Sequence, residues 1–217
     1  MKTIYSRDAN GGMTLIEVLV VIACVAIVIA MLLPGFSGTH KSPMAPCMTH
    51  VRQIGIVSIM YAADNNGKFA IQISVTNGGT REFLERGQTF PHFQKLSKYL
   101  LDLPMLICPA DKTRHAAQSY ANLADTNLSY FLNADVSTND PSKSIMAGDR
   151  QLQANGEAIG HGTVALQTNM DLSWIPAMHH GSGILGFADG HVQICRTTNL
   201  NAVFQDQGLA SVRLSVP

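Results

Sequence analysis

Met13-Thr-Leu-Ile-Glu-Val-Leu-Val-Val-Ile-Ala-Cys-Val-Ala-Ile-Val-Ile-Ala-Met-Leu-Leu33 decides how this chain is built. Apart from Thr14 and Glu17, every residue in it is apolar. As a helix the run rises roughly 31 Å, close to the thickness of a bilayer's hydrocarbon core. Pro34 follows it, and no second run of that length occurs, so residues 13–34 are expected to form a single transmembrane helix. Ahead of it, residues 1–12 are a short polar leader that carries Lys2 and Arg7 and ends in Gly11-Gly12. Basic residues before a span hold that end in the cytoplasm. The chain is therefore expected to be a single-pass inner (cytoplasmic) membrane protein, in contact with its lipid, with the C-terminal domain outside the cytoplasm.

Glu17 does not fit a plain anchor. A carboxylate inside an apolar span costs about 2.5–3.5 kcal/mol at mid-helix and less near the edge, so it needs a partner. Cutting the chain after Gly12 would supply one. Met13 would then carry a free α-amino group, with an ordinary pKa of about 7.7–8.0. Glu17 would lie one helical turn from that charge, in its own chain or in a staggered neighbour. Other readings of the run compete and fit less well. A secretory signal peptide has a shorter apolar core and a small-residue cut site. A lipobox at Val21-Ile22-Ala23-Cys24 would leave the apolar run continuing well past the cysteine. A plain signal anchor leaves Glu17 unexplained.

The rest of the 217 residues suffices for one domain with a real core. Charged residues make up 14% and the net charge is zero. No Lys/Arg run occurs, which removes the electrostatic footprint of a nucleic-acid binder. A neutral chain has little self-repulsion, which suits assembly. Catalytic signatures are missing: there is no Gly-x-Ser-x-Gly elbow, P-loop or His-Glu-x-x-His, and no enzyme is expected. Trp174 reads as core, and Asp149-Arg150 as an ion pair.

Residues 35–46, GFSGTHKSPMAP, hold two glycines and two prolines and are expected to break or melt the helix. Helical patterning resumes at Cys47, with Val51, Ile54, Val57, Ile59, Met60 and Ala63 near helical spacing, and should stop at Asp64-Asn65-Asn66-Gly67. A short amphipathic helix is expected over residues 93–101, a strand end at Leu106-Ile107-Cys108-Pro109, and strands within residues 119–132 and 144–147. Residues 183–188 and 191–195, joined by Asp189-Gly190, read as a β-hairpin. A type I′ turn there would make Phe187 and Val192 cross-strand partners.

Two groups invite a metal. His179, His180, Asp189 and His191 combine imidazole and carboxylate, as zinc prefers. The preferred reading is a structural hairpin, with no metal there. Asp64 and Asn66 offer oxygen ligands of the kind calcium takes, without an EF-hand's terminal glutamate, and a helix-ending turn is the preferred reading. No cofactor is expected beyond that calcium possibility. The cysteines are Cys24, Cys47, Cys108 and Cys195, with no Cys-x-x-Cys pair. Cys24 lies in the apolar run; the other three allow one disulfide with one thiol left over, or three buried thiols.

Gly12-Met13-Thr14-Leu15-Ile16-Glu17 and the span after it resemble the class III signal of type IV prepilins and type II secretion pseudopilins. The resemblance implies that prepilin peptidase cuts after Gly12 and methylates Met13. Pro34 matches the helix-kinking proline of those stalks, while Met13 stands where phenylalanine is usual. Further along, Cys47-Met-Thr-His-Val-Arg-Gln-Ile-Gly55, Tyr61-Ala-Ala-Asp-Asn-Asn-Gly-Lys68 and Cys108-Pro-Ala-Asp111 resemble a pilin-like family common in planctomycetes and verrucomicrobia. That family ends in a motif called H-x9-DG, matched by His179, Asp189 and Gly190. The resemblance implies a Cys47–Cys108 disulfide, with Cys195 as the rival partner.

The expected fold is α+β: a long N-terminal transmembrane and stalk helix, broken near 35–46, packed on an antiparallel sheet that ends in the C-terminal β-hairpin. The expected organisation is leader 1–12, transmembrane helix 13–34, Gly/Pro-rich break 35–46 and exported globular domain 47–217. The function implied is a structural subunit of a type IV pilus-like or type II secretion pseudopilus fibre, in the periplasm or at the surface, with other pilin or pseudopilin subunits as partners. The alternative is a membrane-anchored extracytoplasmic binding domain that does not polymerise.

Overall fold

A computed structural model describes residues 13–32, 44–100 and 102–217. They belong to two compact units, divided between Lys41 and Ser42. The first unit contains α1 (Leu15–Leu32), eighteen residues without a charged residue after Glu17. It is apolar on every side, and the described side chains from Met13 to Met31 are all exposed, Leu15 at 83% and Met31 at 76%. Among the described residues no helix is long and apolar enough to cross a membrane. At 1.5 Å per residue α1 rises about 27 Å, short of a hydrocarbon core of about 30 Å. The expected span runs on to Leu33 and Pro34, which lie outside the described residues, as do the leader, Gly12 and most of the 35–46 break.

The second unit opens with α2 (Met44–Asp64). The helix starts three residues before the expected Cys47, so 44–46 do not belong to a break. Pro46 falls in the first turn, where its missing N–H has no helical acceptor to lose. Cys47, Val51, Ile54, Val57, Ser58, Tyr61 and Ala62 form the buried stripe. Met60 and Ala63, expected in the apolar pattern, face outward instead, and Ile56 is 46% exposed. The helix ends at the expected cluster. Asn66 takes a left-handed φ of 55° and the Gly67 amide bonds back to the Ala62 carbonyl at 2.8 Å, a Schellman-type stop.

Short helices α3 (Glu82–Glu85) and α4 (Phe90–Lys95) follow, the latter continued by a 3-10 turn over Leu96–Lys98. The helix expected at 93–101 thus begins and ends earlier. Leu106 closes a 3-10 turn (Leu103–Leu106) rather than a strand, because Pro104 and Pro109 deny the ladder two donors.

The main sheet has six antiparallel strands in the order β5-β9-β1-β2-β7-β8. These are β1 (Tyr130–Asn133), β2 (Ile145–Asp149), β5 (Gly162–Gln167), β7 (Ser182–Phe187), β8 (Val192–Arg196) and β9 (Ser211–Val216). A smaller sheet joins β3 (Leu152–Ala154), β4 (Glu157–Ala158) and β6 (Leu172–Trp174) in the order β4-β3-β6. Side-chain alternation sorts the main sheet into two cores. Tyr130, Leu132 and Ile184 pack with the buried stripe of α2. Phe131, Leu185 and Phe187 pack on the other side with Trp174, Leu200 and Phe204. Leu200 and Phe204 come from α6 (Thr197–Gln205). The chain is therefore α+β, with an N-terminal helix and a large antiparallel sheet.

The hairpin exists, but its turn is not type I′. Val192 pairs with Gly186, not Phe187. The Phe187 amide bonds the His191 carbonyl, the Gly190 amide bonds the Phe187 carbonyl, and Gly190 alone takes a positive φ, 88°. This is a three-residue loop with a glycine bulge. Asp189 stays at negative φ because its carboxylate accepts the His191 amide at 3.0 Å, an Asx-turn contact that competes with a type I′ conformation.

Candidate functional site

The start of α1 is held by its own side chains. The Thr14 amide and hydroxyl both donate to Glu17 Oε2, at 2.8 and 2.9 Å. In return the Glu17 amide points to Thr14 Oγ1 at 3.4 Å. This is a capping box, with Thr14 at N-cap and Glu17 at N3. It satisfies helix-end amides that a low-dielectric medium would otherwise leave unpaired. The sequence carried the signal, Thr-x-x-Glu before an apolar run, which a reading focused on the charge of Glu17 passes over. Met13 is 71% exposed, directly before this box.

A second cluster lies inside the globular unit. Cys47 on α2 and Cys108 in the loop after Leu106 are joined as a disulfide, with Cα atoms 5.2 Å apart. Both are fully buried. His179, the last residue of α5 (Pro176–His179), brings its Nε2 to 3.2 Å from Cys108 Sγ and 3.6 Å from Asp149 Oδ2. Asp149 ends β2, and its Oδ2 accepts the Ile184 amide at 2.8 Å, while Oδ1 has no hydrogen-bond partner. Burial drives the Asp149 carboxyl up to about 7, against the pull of the Ile184 amide. Burial, then the neighbouring His180, hold the His179 imidazole below its usual pKa. Each group's desolvation favours its neutral form, so the 3.6 Å contact is not a strong ion pair.

Cys108-Pro-Ala-Asp111 leads from this cluster to a buried ion pair. Asp111 receives Arg150 Nε at 2.8 Å and Nη2 at 3.1 Å, the Ser129 hydroxyl at 3.0 Å and the Thr113 hydroxyl at 2.8 Å. Burial raises the Asp111 carboxyl, but the bonds from Arg150 and Thr113 and the guanidinium charge outweigh it and hold it below the usual range. Arg150 therefore pairs with Asp111, not with the adjacent Asp149.

The H-x9-DG residues have separate surroundings. His179 sits in the buried cluster, whereas Asp189 holds the hairpin turn and places its Oδ1 2.6 Å from His191 Nδ1. The His191 ring stacks on Phe187 at 4.2 Å. His180 takes the left-handed conformation that ends α5 and is exposed. The four residues weighed for zinc thus divide between different neighbours. At the other candidate turn, an Asp64 carboxylate oxygen accepts the Tyr99 hydroxyl and Asn66 supplies the left-handed residue. His161 pairs with Asp125 at 2.8 Å, away from the Asp149 contacts. Trp174 is 3% exposed and lies over Gly183, where a Cβ would fall about 2.5 Å from its ring. Cys195 is a buried thiol that burial raises to about 11, which leaves it unreactive.

Comparison with known proteins gives one match. A family model described as the prokaryotic N-terminal methylation motif matches residues 7–33. No curated protein and no solved structure matches the chain. The match supports a prepilin-type signal, and with it a pilin-like, envelope-associated precursor of the kind that prepilin peptidase processes.

Proposed function

We propose that the chain is a structural subunit of a type IV pilus-like or pseudopilus fibre, stored in the inner membrane through residues 13–34 and released into the fibre after cleavage between Gly12 and Met13. The observation that carries this reading is α1, apolar and exposed around its whole circumference within the segment that matches the methylation motif. Water cannot accommodate such a helix. A bilayer or the core of a helical fibre can, and a head-to-tail fibre interface repeats without closing. Thr14 to Leu33 would cover the hydrocarbon core that α1 alone falls short of. Exposed Ile56 and Met60 on α2 offer the second unit an apolar strip for the same assembly.

In this mechanism Glu17 acts twice. Before cleavage it caps the Thr14 amide. After cleavage its charge faces a cationic Met13 amine, its own or a neighbour's, and guides register. Fibres sheared from cells that carry the proposed assembly machinery should contain the protein, and Glu17→Ala should leave membrane insertion intact while removing it from the sheared fraction. Wild-type protein confined to the membrane fraction would instead favour the anchored binding domain.

A further inference from the structure

We infer that Cys47, Cys108 and His179 form a binding site for a zinc-class divalent ion, open while the two cysteines are thiols and closed when they are joined as a disulfide. Their ligand atoms lie within 4.8 Å of one another, and among the described residues they form the group with that property. All three residues are buried, the cysteines completely and His179 at 5%. Two thiolates and one imidazole are a donor set that zinc takes in tetrahedral sites, leaving a fourth position for a carboxylate or water.

Asp149 is the independent pointer. Its side chain is 2% exposed and lies 3.6 Å from the His179 ring, yet Oδ1 has no partner. Buried polar atoms are nearly always satisfied, so an orphan oxygen on a carboxylate whose other oxygen lies 3.6 Å from His179 calls for an explanation. The oxidised arrangement also serves His179 poorly. A disulfide sulfur is a weak acceptor, and 3.6 Å to a carboxylate exceeds hydrogen-bond reach. An ion would give His179 Nε2 and the Asp149 carboxylate a common partner. The Ile184 amide on Asp149 Oδ2 would then act as an outer-shell contact that orients the carboxylate.

The chemistry balances without a bound oxidant. Both cysteines are made as thiols. Binding a divalent ion releases their two protons to solvent. Forming the disulfide instead removes two electrons and two protons to a thiol oxidant, such as an exchanging disulfide. The outcomes exclude each other, so the site makes folding of this domain answer to either metal or oxidant.

The test uses the full chain in detergent micelles, in oxidised form and after a phosphine has opened the disulfide, which yields two thiols and a phosphine oxide. Cobalt(II) is the probe, read by its thiolate charge-transfer band. Cys24 and Cys195 are thiols in both samples and cancel in the difference. The reduced chain should take up one additional cobalt with that band, displaced by zinc. His179→Ala should weaken binding by more than the roughly 10–100-fold that loss of an outer-shell partner costs. His179→Cys should restore it with a third thiolate's added intensity, which also covers the case where the alanine variant fails to fold. Identical spectra before and after reduction, or a His179→Cys spectrum without the added intensity, would overturn the site.

Discussion

Glu17 caps the start of α1, and side-chain chemistry can separate that cap from the assembly role proposed for its charge. Glutamine at N3 completes a capping box as glutamate does, but carries no charge. Glu17→Gln should therefore leave α1 helicity unchanged, where Glu17→Ala loses the N3 half of the capping box and should lower it. Both variants should be lost from sheared fibres to a similar extent if the charge guides assembly. Fibre incorporation of Glu17→Gln at the wild-type level would reduce Glu17 to a cap. Half of this was legible: the cost of a carboxylate in an apolar run follows from Met13–Leu33 alone. The cap was legible too, in Thr14-x-x-Glu17, but only once the start of the helix was fixed at Leu15. His92 was not legible. Nothing local says that it is buried with Nδ1 2.7 Å from the Thr80 hydroxyl and Nε2 unpartnered. Burial lowers its pKa from 6.5 to about 4. In that window the unfolded chain binds the proton and the folded one does not, so stability is full above pH 6.5 and falls toward pH 4, by about 3 kcal/mol in all. Asp149 slopes the other way, since its raised pKa makes the folded state the proton binder up to about pH 7. Wild-type denaturation midpoints should thus change little between pH 7 and 5, while His92→Asn, freed of the falling term, should gain stability over the same range. Parallel profiles for the two proteins would contradict the assignment.

At the scale of elements, α2 and the sheet meet across Gly186. A Cβ there would lie 2.7 Å from Val51 Cγ1, and Val51 is fully buried. Gly186→Ala should cost about 1–3 kcal/mol by overpacking, read as a lowered urea midpoint with an unchanged slope. The Cys47–Cys108 bond ties the start of α2 to a loop 61 residues later. A closed loop of that length removes roughly 4 kcal/mol of unfolded-state entropy. Replacing both cysteines with serine should lower stability by that order, and reductant should erase the difference from wild type. The stop of α2 and the existence of the C-terminal hairpin followed from turn chemistry in Asp64–Gly67 and Asp189-Gly190. The hairpin register did not. Two-residue and three-residue loops share the Asp-Gly signal, and the choice fell to the Asp189 carboxylate on the His191 amide. Met60 and Ala63 were misassigned because an apolar pattern on a helix does not say which stripe meets the sheet.

At the scale of the molecule, the described part of one unit is a helix with no polar face, and the other is a domain whose described residues build two hydrophobic cores. The class of this architecture was legible because a long apolar run and a strand-rich remainder leave few alternatives. The strand order β5-β9-β1-β2-β7-β8 was not, since β9 reaches between β5 and β1 by contacts remote in sequence. The proposed function depends on cleavage at the boundary of residues 12 and 13. The N-terminal mass of the protein from membranes of a host with an active prepilin peptidase tests it directly. The mature chain should begin at Met13, with or without a methyl on its amine, and should keep its leader when the peptidase is absent. A mature chain that begins at Met1, or is cut elsewhere than after Gly12, would contradict it.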